Sequence, residues 1–155
     1  MKYLTAIATG VLIVTSPADA AAPRAAVEHF PMAPMNGNPA PFSKAVRVGD
    51  VLYLSGVIGR ATDGKVPDGI EAQTKAAMDD IGATLKTAGL THADLFHCTV
   101  FLSDMKNWPA FNKVYVGYFP SGKLPARSAF GVNGLALPGA LMEIECQAYA
   151  GTQSR

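Results

Sequence analysis

The chain has 155 residues, with 13 Lys and Arg against 12 Asp and Glu and a formal net charge of +1. It carries no basic stripe or Lys/Arg-rich segment, so nucleic acid is not an expected partner. Its size fits one domain with a real hydrophobic core and leaves no room for two.

At the start, Lys2 precedes an apolar run over residues 3–14, and small residues then end in Ala18-Asp19-Ala20. This is the pattern of a secretory signal with an A-x-A site, predicting cleavage after Ala20. The run is too short to span a bilayer comfortably, and no cysteine beside the cut offers a lipid attachment point. The expected product is a soluble periplasmic or secreted protein of 135 residues, with no membrane association after cleavage. Export makes a bond between Cys98 and Cys146 chemically permissible. Both lie in strand-like segments where a thiol can act as a small hydrophobe, and free thiols are the favoured expectation.

Residues 21–40 are rich in Ala, Pro, Met, Gly and Asn without either hydrophobic period and read as an extended arm. Val46 and Val48 alternate with Arg47, Gly49-Asp50 turns the chain, and Val51-Leu52-Tyr53-Leu54 continues it, which predicts a hairpin. Residues 59–69 read as a loop. Asp68 and Glu71 have capping-box spacing, and Thr74, Ala77, Met78, Ile81, Leu85 and Ala88 recur at helical intervals until Gly89. Residues 96–102 predict a core strand. A second helix follows, with Asn107 as cap, Pro109 in the first turn, and Phe111, Val114, Tyr115 and Tyr118 on its apolar face. Residues 127–132 and 141–149 are strand-like, and residues 151–155 form a tail.

The order β-β-α-β-α-β-β predicts an α+β domain over residues 41–150, with two helices on one face of a single sheet. The other face then needs cover, which predicts a homo-oligomer. In the last strand, alternation puts Met142, Ile144, Cys146 and Ala148 on one face and Glu143, Glu145 and Gln147 on the other. Burial at an interface would raise a carboxyl pKa toward the range useful for proton transfer. Arg127 can clamp a small carboxylate with its fork, so Arg127 and Glu143 together point to hydrolysis of a small carboxylic acid.

The remaining polar residues read more plainly. His97 is expected as a hydrogen-bonded core or interface residue, with His29 in the arm and His92 in a loop. Asn112 is expected to cap or pin a helix, and Trp108 to pack. The histidines and cysteines lack metal-ligand spacing, so no zinc site is predicted. No glycine-rich phosphate motif is present, so no nucleotide site is predicted either.

Several ordered motifs resemble one family. They are Pro41-Phe42-Ser43-Lys44-Ala45-Val46, Val51-Leu52-Tyr53-Leu54-Ser55-Gly56, Gln73-Thr74, Ala88-Gly89-Leu90, Thr99-Val100-Phe101-Leu102-Ser103-Asp104-Met105, Asn112-Lys113-Val114-Tyr115, Pro125-Ala126-Arg127-Ser128 and Gly139-Ala140-Leu141-Met142-Glu143-Ile144-Glu145. In this order, over residues 41–150, they are similar to the Rid (YjgF) family of reactive intermediate deaminases.

The resemblance implies a chorismate-mutase-like homotrimer with sites between subunits. It also implies hydrolysis of enamine and imine acids such as 2-aminoacrylate to 2-keto acids and ammonia, without metal or organic cofactor. Carried onto this chain, Arg127 would bind the substrate carboxylate and Glu143 would activate water, while Ser55 and Gly56 would line the pocket. Phe42 stands where the family has tyrosine and keeps an aromatic wall. Ala129 stands where many deaminases have cysteine, and Val57-Ile58-Gly59 replaces Gln-Ile-Pro. The Arg127 to Glu143 interval is one residue longer than in the archetype. In an exported protein the same clamp would suit imino acids from amino acid oxidation. The second function class is a non-catalytic trimer that binds small carboxylates or has a chaperone-like role.

Overall fold

A computed structural model describes residues 24–34 and 37–152. The expected signal sequence and cleavage after Ala20 lie outside the described residues. Seven strands form one mixed sheet: β1 (Val27–Pro31), β2 (Ser43–Val48), β3 (Val51–Leu54), β4 (Val57–Ile58), β5 (Leu95–Leu102), β6 (Ala126–Gly131) and β7 (Met142–Tyr149). Their order is β1-β2-β3-β7-β5-β6, with β4 also paired to β7. All pairings are antiparallel except β5 with β6. Helices α1 (Ile70–Thr87) and α2 (Trp108–Tyr115) cover one face, giving the expected α+β architecture.

The core follows from two periods meeting. Met142, Ile144, Cys146 and Ala148 of β7 and Cys98, Val100 and Leu102 of β5 point toward the helices. Ala77, Met78, Ile81 and Leu85 of α1 and Phe111 and Tyr115 of α2 descend on them from above. On the opposite face Val27, Tyr53, Phe130 and Tyr149 remain exposed. Among the described residues no helix is long and apolar enough to cross a membrane.

Three local expectations need correction. The arm is not wholly irregular, because it contains β1, which pairs with β2 beyond it. Its side chains are exposed except for Phe30, so it is held by backbone pairing and leaves no hydrophobic period to read. Helix α1 has no capping box; its N-cap is Gly69, which has no side chain to offer, and Asp68 lies one residue too early. Cys98 and Cys146 are joined in a disulfide rather than free. They stand directly opposite in the β5·β7 register with Cα atoms 4.1 Å apart, a proximity that only the pairing of the strands creates.

Candidate active site

Glu143 lies at the start of β7, opposite Ile58 of β4. Between β3 and β4 the ladder slips: Tyr53 faces Gln147, but Val57 faces Ile144, so the segment with Ser55 and Gly56 carries one extra residue. Such a bulge bends the strand and opens a hollow in an otherwise continuous sheet. Gly56 is needed there, since a Cβ at this position would overlap the Glu143 carboxylate. Ser55 is fixed by two bonds, its amide donating to the Lys44 carbonyl at 3.1 Å and its hydroxyl donating to the Ser43 carbonyl at 2.7 Å. The hydroxyl oxygen keeps acceptor capacity toward the hollow.

The cleft encloses about 250 Å³ and is lined by Phe42, Lys44, Ser55, Gly56, Arg60 and Glu143, among others. That is small beside the roughly 300–1,000 Å³ of drug-sized sites, and suits a small acid. Lys44 is paired with Asp80 from α1 at the cleft wall. Burial, and then the neighbouring Glu145 carboxylate, push the Glu143 carboxyl above the ordinary range.

Arg127 occupies a different hollow, with Ala129, Trp108, Tyr115 and Leu124 in its walls. It points to the helix-covered side of β6, an edge strand of the sheet. Helix α2 presents Trp108, Asn112 and Tyr115 on one stripe by their four- and seven-residue spacing. The guanidinium lies 4.5 Å from the Trp108 ring centroid and 4.3 Å from that of Tyr115. Its Nη2 donates to Asn112 Oδ1 at 2.7 Å, while its Nη1 is buried without a hydrogen-bond partner. Stacking and one bond hold the fork in plane and leave donors unused. Burial lowers the Arg127 pKa, and the Tyr115 phenol opposes this shift; an arginine nonetheless stays protonated. Burial raises Tyr115 in turn.

The predicted site residues therefore fall into two groups. Glu143, Ser55, Gly56 and Phe42 share the cleft, and Arg127 and Ala129 share the second hollow. Within one chain Arg127 and Glu143 do not meet. Arg127 is opposite Cys98, which is opposite Cys146, three residues beyond Glu143. Two strand spacings and three residue rises put their Cα atoms about 14 Å apart, with the side chains on opposite faces.

Three features of the site are not read from the sequence. Asn112 and Trp108 hold Arg127, which the helical spacing of both to Tyr115 could have indicated. The Lys44–Asp80 pair spans 36 residues with no local signal. Arg60 falls in the segment 59–69, whose composition reads only as a loop. His97 lies on the open sheet face beside Gln147 rather than in the Glu143 cleft.

The architecture is that of an α+β protein whose single mixed sheet carries one hollow with an acid and another with an arginine, a class suited to small carboxylic acids. A family profile described as Endoribonuclease L-PSP matches residues 35–150. The chain is 39% identical over 114 residues to the 2-iminobutanoate/2-iminopropanoate deaminase of Mus musculus, a match covering 72% of this chain and 82% of the mouse protein. It is 36% identical over 108 residues to the chloroplastic Reactive Intermediate Deaminase A of Arabidopsis thaliana, covering 68% of this chain and 57% of the plant protein. The chain thus spans under two thirds of that relative's length. The crystal structure of the Rid-family protein YyfA from Yersinia pestis matches with a TM-score of 0.72 at 33% identity, covering 80% of this chain and 99% of that one. The chain belongs to the Rid (YjgF) family.

Proposed function

We propose that this protein hydrolyses small imino and enamino carboxylic acids to 2-keto acids and ammonia, in clefts completed between the subunits of a homotrimer. The observation that carries this reading is the division of the site: a half-buried glutamate in a small cleft, and an arginine held ready on a sheet edge. The names of the mouse and plant relatives support the reaction class. The exposed apolar side chains on the uncovered sheet face support assembly. The family profile's description names an endoribonuclease, but a net charge of +1 and a cleft of about 250 Å³ favour a small acid over a polynucleotide.

In this reaction Arg127 of one subunit grips the carboxylate and Glu143 of the next takes a proton from water. The water oxygen bonds to the imine carbon as the nitrogen gains a proton. The tetrahedral adduct then collapses: its hydroxyl proton is relayed through Glu143 to the amine nitrogen, the carbonyl forms, and the C–N bond breaks to release ammonia. The imine carbon is already electrophilic, so orientation and proton transfer suffice without a covalent nucleophile.

The test is imine decay, with the substrate generated in situ by an amino acid oxidase. Purified protein should accelerate loss of imine and release of ammonia over the spontaneous rate; no acceleration beside a working deaminase control would refute the reading. A pH profile adds to it. Glu143 must be ionised to accept a proton, so kcat should rise with pH through a midpoint above the ordinary glutamate value of 4.5. Glu145→Gln removes the second cause of the raised pKa and should move that midpoint down.

The compartment belongs to the same reading. A secretory leader and the Cys98–Cys146 disulfide both fit an oxidising environment. Cell fractionation should recover the protein in the periplasm or medium with Ala21 as its first residue. A cytoplasmic product that begins at Met1 would reject export.

A further inference from the structure

The charges lining the Glu143 cleft divide unequally. Lys44 and Asp80 neutralise one another, and Glu143 is reserved for water in the reaction above. Arg60 alone among the charged lining residues carries a full positive charge with neither an ion pair nor a hydrogen bond from its side chain among the described residues. Its place is set by the backbone. It follows two residues after Ile58, the β4 residue opposite Glu143. Gly59 between them is pressed so closely on the Gln73 backbone of α1 that a Cβ would overlap the Gln73 carbonyl. The Arg60 backbone is thus fixed two residues beyond the one opposite Glu143, and its exposed side chain lines the same cleft.

If Arg127 of a neighbouring subunit holds the carboxylate next to the imine, a monocarboxylate leaves Arg60 unused. We infer that Arg60 binds a second anionic group on the substrate, so that the preferred substrates are imino dicarboxylic acids, the products of oxidising acidic amino acids. This rests on the deaminase reading and names its substrate class. An arginine can grip a carboxylate through two parallel N–H donors, which makes it the appropriate residue for this role. The supplying reaction would be an amino acid oxidation or dehydrogenation acting on a side-chain acid.

The experiment compares 2-iminoglutarate with 2-iminobutanoate, both made in situ, in the parent and in Arg60→Leu. It also follows binding of the stable products 2-oxoglutarate and 2-oxobutanoate by calorimetry. The parent should favour the diacid in both readouts. Arg60→Leu should lose about tenfold to a hundredfold in kcat/KM and affinity for the diacid, while staying within about twofold for the monoacid. Equal losses on both compounds, or no loss on either, would overturn the inference. A parent that turns over only the monoacid and binds only its product would also overturn it, leaving the deaminase reading intact. Arg60-dependent binding of 2-oxoglutarate without turnover of either imine would reject the deaminase reading and uphold recognition of the diacid.

Discussion

Equal amounts of Arg127→Ala and Glu143→Gln subunits, unfolded and reassembled together, should recover about one quarter of parental activity, although each variant alone is nearly inactive. The expectation follows from the geometry. One chain holds the two side chains on opposite faces of the sheet, so in the proposed reaction the site draws its arginine and its glutamate from different copies. With random assembly, half of the subunits offer Arg127 and half offer Glu143, so about one site in four is intact. Separately, loss of the Arg127 fork should cost about 10²–10³ in kcat/KM through weaker carboxylate binding. Glu143→Gln should spare binding and slow turnover by about 10²–10⁴. Arg127→Lys should not rescue, because an ammonium lacks the planar fork that stacks on Trp108 and Tyr115 and donates to Asn112. Mixed assemblies no more active than the separate variants would sink the intersubunit site.

The parts of the fold that were legible are those in which one residue pattern decides the outcome. Helix α1 is visible in the spacing of Ala77, Met78, Ile81 and Leu85, all of which are buried. The alternation along β7 gave the correct faces for Ile144 and Glu143 because one face is covered and the other is not. Strand β1 was invisible because a strand exposed on both faces has no hydrophobic period. The disulfide is illegible for a related reason: nothing local to Cys98 or Cys146 encodes the register that puts them opposite each other across 48 residues of chain.

The site divides in the same way. Residue types and motif order marked Arg127, Glu143, Ser55 and Gly56. The opposite facing of Arg127 and Glu143 depends on parallel pairing of β6 with β5, which no local pattern records. Asn112 reads as a residue that caps or pins a helix, yet its side-chain oxygen accepts from Arg127. Arg60 is not legible because loop composition hides a residue whose backbone position is set by Gly59 packing on α1.

Gln73→Leu should lower stability by about 3–6 kcal/mol, a large share of the roughly 5–15 kcal/mol that holds a domain folded. Gln73 is 1% exposed and all of its side-chain hydrogen bonds leave the helix. Its Nε2 donates to the Pro67 carbonyl at 2.9 Å and to the Gly139 carbonyl at 3.0 Å, and its Oε1 accepts from the Leu141 amide at 2.8 Å. One side chain therefore satisfies backbone groups of the loop before α1 and the loop before β7. Leucine fills a similar volume but leaves all three groups without that partner, at about 1–3 kcal/mol for each one that stays buried. Thermal melting should show a fall of about 10–20 °C, with the urea midpoint falling in step. Activity should fall too at temperatures where the variant is folded, because the loop anchored at Gly139 and Leu141 carries Ala136 and Leu137 into the cleft beside Glu143. A variant that melts within about 2 °C of the parent would mean that water replaces the amide at all three positions, and that Gln73 does not anchor the cleft.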